Sequence, residues 1–67
     1  MAKDKLTLRE WRLAREKSLA EMAEVCGVHP NTYAAWENDP QGISVRNARK
    51  LCSFLGLSMD DVFYRSE

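Results

Sequence analysis

The chain has 67 residues, 45% of them hydrophobic, with ten basic and ten acidic side chains and a formal net charge of zero. That suits one small domain spanning 1–67, with an ordered core expected over about 6–63, and leaves too little chain to enclose a large ligand pocket. No apolar run reaches the length of a membrane span and the opening Met-Ala-Lys-Asp-Lys lacks the apolar stretch of a secretory signal, so the expectation is a cytoplasmic protein without membrane contact.

The pattern is helical throughout, which makes the fold class all-α with five helices. The first is expected from about Leu6 to Glu16, with Leu8, Trp11 and Arg15 on one side and Leu13 beside them. The second starts at Ser18. Ser18 and Glu21 have capping-box spacing, in which the hydroxyl accepts from the backbone three residues on and the carboxylate reaches back. Leu19, Met22, Ala23 and Cys26 follow at helical spacing and predict one buried face. Gly27 ends this helix, because glycine tolerates the left-handed conformation past a C-terminus.

The third helix is expected from Pro30, since proline suits a first turn where its missing N–H would be unpaired anyway. Tyr33 and Trp36 fall on one face; Pro30, Asn31, Ala34, Ala35 and Asn38 fall on the other. The run Asn38-Asp-Pro-Gln-Gly42 is a turn cluster. Ser44 caps a fourth helix with the apolar stripe Val45, Ala48, Leu51, Cys52 and Leu55, closed by Gly56. Ser58 caps a short fifth helix holding Met59, Val62 and Phe63. Asp60 and Asp61 sit in its first turn, where the helix dipole favours acids.

Positive charge flanks the centre of the chain and avoids it. Residues 1–17 carry six basic and three acidic side chains, and residues 18–45 carry four acids and no Lys or Arg. Arg46, Arg49 and Lys50 follow together, and residues 51–67 hold one base against three acids. Cys26 and Cys52, the only cysteines, are read as reduced core thiols. Cys26-x-x-His29 with Cys52 makes three ligands where a structural zinc wants four, so no metal or other cofactor is expected. One histidine, no phosphate-cradling glycine loop and no nucleophile–base pair at a recognisable spacing argue against an enzyme.

Two short helices meeting at Gly27 have the layout of a helix-turn-helix, in which the second helix enters the major groove of DNA. The segment Met22-Ala23-Glu24-Val25-Cys26-Gly27-Val28-His29-Pro30-Asn31-Thr32-Tyr33-Ala34-Ala35-Trp36-Glu37 resembles the frame Leu-Ala-x-x-x-Gly-Val-Ser-x-x-Thr-Ile-x-x-Trp-Glu of the Cro and phage-repressor, or Xre, family. Leu55-Gly56-Leu57-Ser58-Met59-Asp60-Asp61-Val62-Phe63 resembles the family's closing Leu-Gly-Val-Ser-x-Asp-Glu-Leu-Phe. The likeness runs without gaps from about Leu6 to Phe63. It implies a five-helix lambda-repressor-like DNA-binding domain, with the helix-turn-helix formed by helices 2 and 3.

What the resemblance implies about function is specific. The recognition helix is expected at about 30–38, in the major groove, in a phage-type transcriptional regulator acting as a homodimer on a palindromic operator. The base-contacting residues carried over are His29, Pro30, Asn31, Thr32 and Ala35, with Ala34 adjacent. Asn31 is the preferred reader, since an amide bonds adenine N6 and N7 together; its other reading is a helix cap. His29 is balanced between a DNA contact and a cap. Tyr33 stands where the family has Ile or Val and is read as core, its hydroxyl needing a partner or solvent.

Phosphate candidates are Ser18, Asn38, Gln41, Ser44 and Arg46, with Arg9, Arg15 and Lys17 adding long-range attraction. Arg12 and Glu37 occupy positions where the family often has a partly buried ion pair; the alternative is two solvated surface charges. Leu19 replaces a phosphate-binding Gln, Asp39-Pro40 replaces a Gly-Lys loop and Lys17 replaces an apolar residue. The first two changes remove phosphate contacts and predict weak or strongly salt-sensitive binding unless a dimer doubles them. Helix 5 with Phe63 and Tyr64 is the candidate dimer surface, and no small-molecule effector is expected. The competing reading is a protein-interaction module of the same fold that has lost DNA binding, motivated by the missing cations across 18–45.

Overall fold

The computed structural model describes residues 6–63, and every described helix boundary has a local cause. Helix α1 spans Leu8–Ala14, α2 Leu19–Cys26, α3 Pro30–Asn38, α4 Val45–Leu55 and α5 Met59–Val62, with one 3-10 turn at Pro40–Gly42 and no β-strand among the described residues. Capping boxes start three of them: Thr7 with Glu10, Ser18 with Glu21 and Ser58 with Asp61. Ser44 caps α4 by accepting from the Asn47 amide at 3.1 Å. The Thr7–Glu10 box lies inside the expected first helix, so α1 is shorter than expected at both ends.

Three helices stop in a similar way. A residue in the left-handed region closes each: Gly27 at φ 70° and Gly56 at 76° directly after α2 and α4, and Glu16 at 58° one residue past the Arg15 that follows α1. The amide of that residue and the next one fold back, as with Glu16 N–H to Leu13 O and Lys17 N–H to Arg12 O, both at 3.0 Å. Two of these stops use glycine, which has no Cβ to clash. The stop after α1 uses glutamate, at a cost of about 1–2 kcal/mol for an L residue in this conformation.

One core sits between the helices. Leu8, Met22, Ala23, Tyr33, Leu51, Cys52, Leu55 and Val62 are buried together, with α2 packed against both α3 and α4 and α5 closing on α4. Leu8, Met22 and Leu51 are essentially inaccessible, each stabilising by roughly 1.5–3 kcal/mol relative to exposure. Across the chain, Trp11 donates its indole N–H to the Asp61 carbonyl at 3.2 Å, and Arg15 donates Nε–H to the Leu55 carbonyl at 2.9 Å. These two bonds tie α1 to the ends of α4 and α5.

Three apolar residues expected in the core are exposed: Leu13 at 50%, Leu19 at 36% and Val45 at 63%. Each lies on a short helix whose inward direction is set by its neighbours. On α1 the inward position next to Leu13 is taken by Arg12, which is buried. Leu19 and Val45 are the first residues of their helices, ahead of the first full turn that packs. Cys26 is half-buried where full burial was expected. Tyr64, part of the expected dimer surface, lies outside the described residues.

Candidate nucleic-acid interface

Ser18 and Glu21 settle the entry to α2. The Ser18 hydroxyl accepts from the Glu21 amide at 3.0 Å, and the Glu21 carboxylate accepts from the Ser18 amide at 2.7 Å. That bond holds the Glu21 carboxyl below its ordinary pKa, so it is ionised. The amides of Leu19 and Ala20 have no helical carbonyl one turn back and make no hydrogen bond among the described residues, which leaves two donors beside Ser18. The same holds at α4, where the Val45 and Arg46 amides are unpaired among the described residues, beside the capping Ser44 and the exposed Arg46 side chain.

The α3 N-terminus is closed. Pro30 has no N–H, the Asn31 amide donates to His29 Nδ1 at 3.0 Å, and the Thr32 and Tyr33 amides donate to the His29 carbonyl at 2.9 and 3.1 Å. His29, and not Asn31, is therefore the cap. The outer face of α3 meets its surroundings through side chains alone. His29, Asn31, Thr32, Ala35 and Asn38 are exposed, and Pro30 and Ala34 are half-buried beneath them. Neither the Asn31 amide group nor the Thr32 hydroxyl makes a hydrogen bond among the described residues. Gln41 is exposed on the 3-10 turn that follows.

The inner face of α3 is held by an aromatic pair and a charge pair. Tyr33 is fully buried and meets Trp36 edge-on, with ring centroids 6.2 Å apart. One turn past Tyr33, Glu37 accepts from Arg12 Nε at 2.6 Å and from Nη2 at 3.3 Å, and the two side chains are only 9% (Arg12) and 6% (Glu37) exposed. Arg12 Nη1 donates to the Lys17 carbonyl at 3.0 Å. One guanidinium thus fastens the end of α3 to the residue that precedes the α2 cap. The Glu37 carboxylate raises the Arg12 pKa further above its ordinary value. Burial, then the Glu37 carboxylate beside it, pushes the Tyr33 phenol well up, and among the described residues its oxygen makes no hydrogen bond of good geometry.

Three cations near this surface make fixed contacts. Arg12 is neutralised by Glu37, the exposed Arg15 bonds the Leu55 carbonyl and lies 5.1 Å from the Trp11 ring, and Lys17 stands 4.9 Å over the Phe54 ring, the last two keeping their charge. Arg15 and Lys17 are therefore structural contacts as well as sources of field, a role that sequence reasoning missed. The Lys17 contact also explains how a cation stands where the resembling family has an apolar residue: its stem and ammonium cover Phe54. Arg9, Arg46, Arg49 and Lys50 remain exposed, while α2, α3 and the following turn contribute Glu21, Glu24 and Asp39 on the surface. Burial raises the Cys26 and Cys52 pKa values, so both thiols stay protonated and inert.

Helix α3 thus has a clamped inner face and a small, polar, open outer face. A family model described as helix-turn-helix, of the Xre and lambda-repressor-like type, matches residues 8–62. The chain belongs to this helix-turn-helix family. Its five helices without strands among the described residues agree with the lambda-repressor-like fold, and membership makes it a DNA-binding transcription regulator in the general sense. No curated protein and no solved structure gives a match. Among the described residues, no helix of this helix-turn-helix protein is long and apolar enough to cross a membrane.

Proposed function

We propose that the chain is a phage-type, sequence-specific transcriptional regulator that lays α3 in the major groove of its operator. The observation that carries this reading is the division of α3 into a clamped inner face and an outer face of uncommitted side chains. His29, Pro30, Asn31, Thr32, Ala34 and Ala35 form the base-contacting surface. Asn31 bonds adenine N6 and N7, and the alanines rest on thymine methyls. Ser18, Asn38, Gln41, Ser44 and Arg46 hold phosphates, joined by the free amides of Leu19, Ala20, Val45 and Arg46.

A homodimer supplies what one copy lacks. Few exposed cations limit phosphate neutralisation per subunit, and two-fold symmetry doubles it on half-sites about 34 Å apart. Ile43, Val45, Met59 and Phe63 line one open groove with Leu8 and Val62 at its base, and this is the apolar surface a second copy covers. Sedimentation at high concentration without DNA tests this part, and a monomer removes it.

The regulator reading is tested by selecting bound sequences from a random duplex pool and titrating the salt. Steep loss of affinity with salt, and loss of sequence preference in Asn31→Ala, are expected. Absence of binding at low salt favours the second reading, a protein-docking module. The observation behind that reading is an α2–α3 surface carrying acids and no cation.

A further inference from the structure

We propose that His29 is a specificity-determining donor, whose capping bond forces it to present Nε2–H, and never a lone pair, to DNA. The inference rests on the reading of α3 as the DNA-facing helix. A backbone amide can only donate, so the ring nitrogen 3.0 Å from the Asn31 amide must carry the lone pair. A neutral imidazole has one N–H, which is then on Nε2. The ring is exposed, and the bond to Asn31 restrains how it is turned.

The cap and the DNA contact are therefore two ends of one ring. A serine cap ends at its hydroxyl oxygen, whereas the imidazole extends past the cap and carries its donor on the far side. Within residues 18–45, which hold no Lys or Arg, that donor is a directional one. It pairs with an acceptor and is repelled by the amino groups of cytosine and adenine. Guanine N7 and O6, adenine N7 and thymine O4 are the acceptors of the major groove, so a base contact at His29 selects against cytosine, whose edge there only donates. A phosphate oxygen is the other acceptor of the duplex.

The chain has one histidine, so nitrogen-15 NMR of the free protein reports its tautomer without ambiguity. The Nε2–H pattern is expected, and the Nδ1–H pattern overturns the proposal. His29→Ser keeps a capping acceptor and withdraws the donor on the far side. On the selected duplex, purines are replaced in turn by 7-deazapurines, guanines by 2-aminopurine, thymines by 5-methyl-2-pyrimidinone, and phosphates by methylphosphonates. One substitution should weaken wild-type binding by about 3–10-fold and leave His29→Ser unchanged. A base-analogue response assigns the base edge, and a methylphosphonate response assigns the backbone. Equal responses of the two proteins at every position overturn the proposal. The two failures separate: bound duplex with Nδ1–H sinks this inference alone, and Nε2–H without duplex binding sinks the regulator reading and the donor role with it.

Discussion

Arg12→Ala tests the clamp on α3 most directly. The substitution leaves the Glu37 carboxylate, only 6% exposed, without its cation, and strips the Lys17 carbonyl of its donor. Breaking a buried pair from one side costs about 3–5 kcal/mol. A chain of 67 residues has a total stability of roughly 3–10 kcal/mol. The loss is thus a large fraction of the whole. At about 4–8 °C per kcal/mol for a domain this small, the melting temperature should fall by more than ~12 °C. Circular dichroism at 222 nm follows it. The double variant Arg12→Met, Glu37→Leu removes both charges and fills the space, so it should cost less than Arg12→Ala alone. A fall below ~4 °C for Arg12→Ala, or a double variant worse than the single, would refute the clamp.

Other outcomes follow from single residues. Glu16→Gly relieves a left-handed residue at φ 58° and should raise stability by about 0.5–1 kcal/mol in a urea titration, after the entropy cost of glycine; a loss would mean the side chain contributes more than its backbone costs. Tyr33→Phe removes a buried hydroxyl that makes no well-formed hydrogen bond among the described residues and should hold or raise the melting temperature; clear destabilisation would show that Glu37 or Arg12 beside it satisfies the oxygen. Glu21 has its folded pKa lowered below the ordinary 4.5 by the Ser18 amide. The stability it contributes is present above 4.5 and is lost as pH falls through the folded value. Glu21→Gln should therefore flatten the acid limb of a stability–pH curve below about 4.5, and an unchanged limb would argue against the box.

Helix starts and stops were legible because they are local. A serine three residues before a glutamate, or a glycine after an apolar stripe, satisfies backbone groups within one turn. Ser18, Gly27, Ser44, Gly56 and Ser58 read correctly for that reason. The glutamate stop at Glu16 carried no such signal, since an L residue other than glycine rarely takes the left-handed conformation and nothing in its type marks the position. The family frame, with its small Ala23 and inward Tyr33 and Trp36, likewise pointed to the fold. The outer residues of α3 could be named from spacing, because a helix clamped on one face exposes the other.

The Arg12–Glu37 pair was suggested by family position, and the tertiary structure shows it buried. Arg15 and Lys17 are equivalent cations in a sequence, and the tertiary structure alone settled that one bonds Leu55 and the other stands over Phe54. Those partners lie far along the chain, beyond the reach of any helical period. Leu13, Leu19 and Val45 show the same limit from the apolar side. Periodicity gives the spacing of a stripe; its phase on a short helix depends on what the neighbouring helices press against it. His29 was balanced between cap and contact for a related reason. Which ring nitrogen meets the Asn31 amide is a matter of side-chain placement, and that placement makes the two roles compatible.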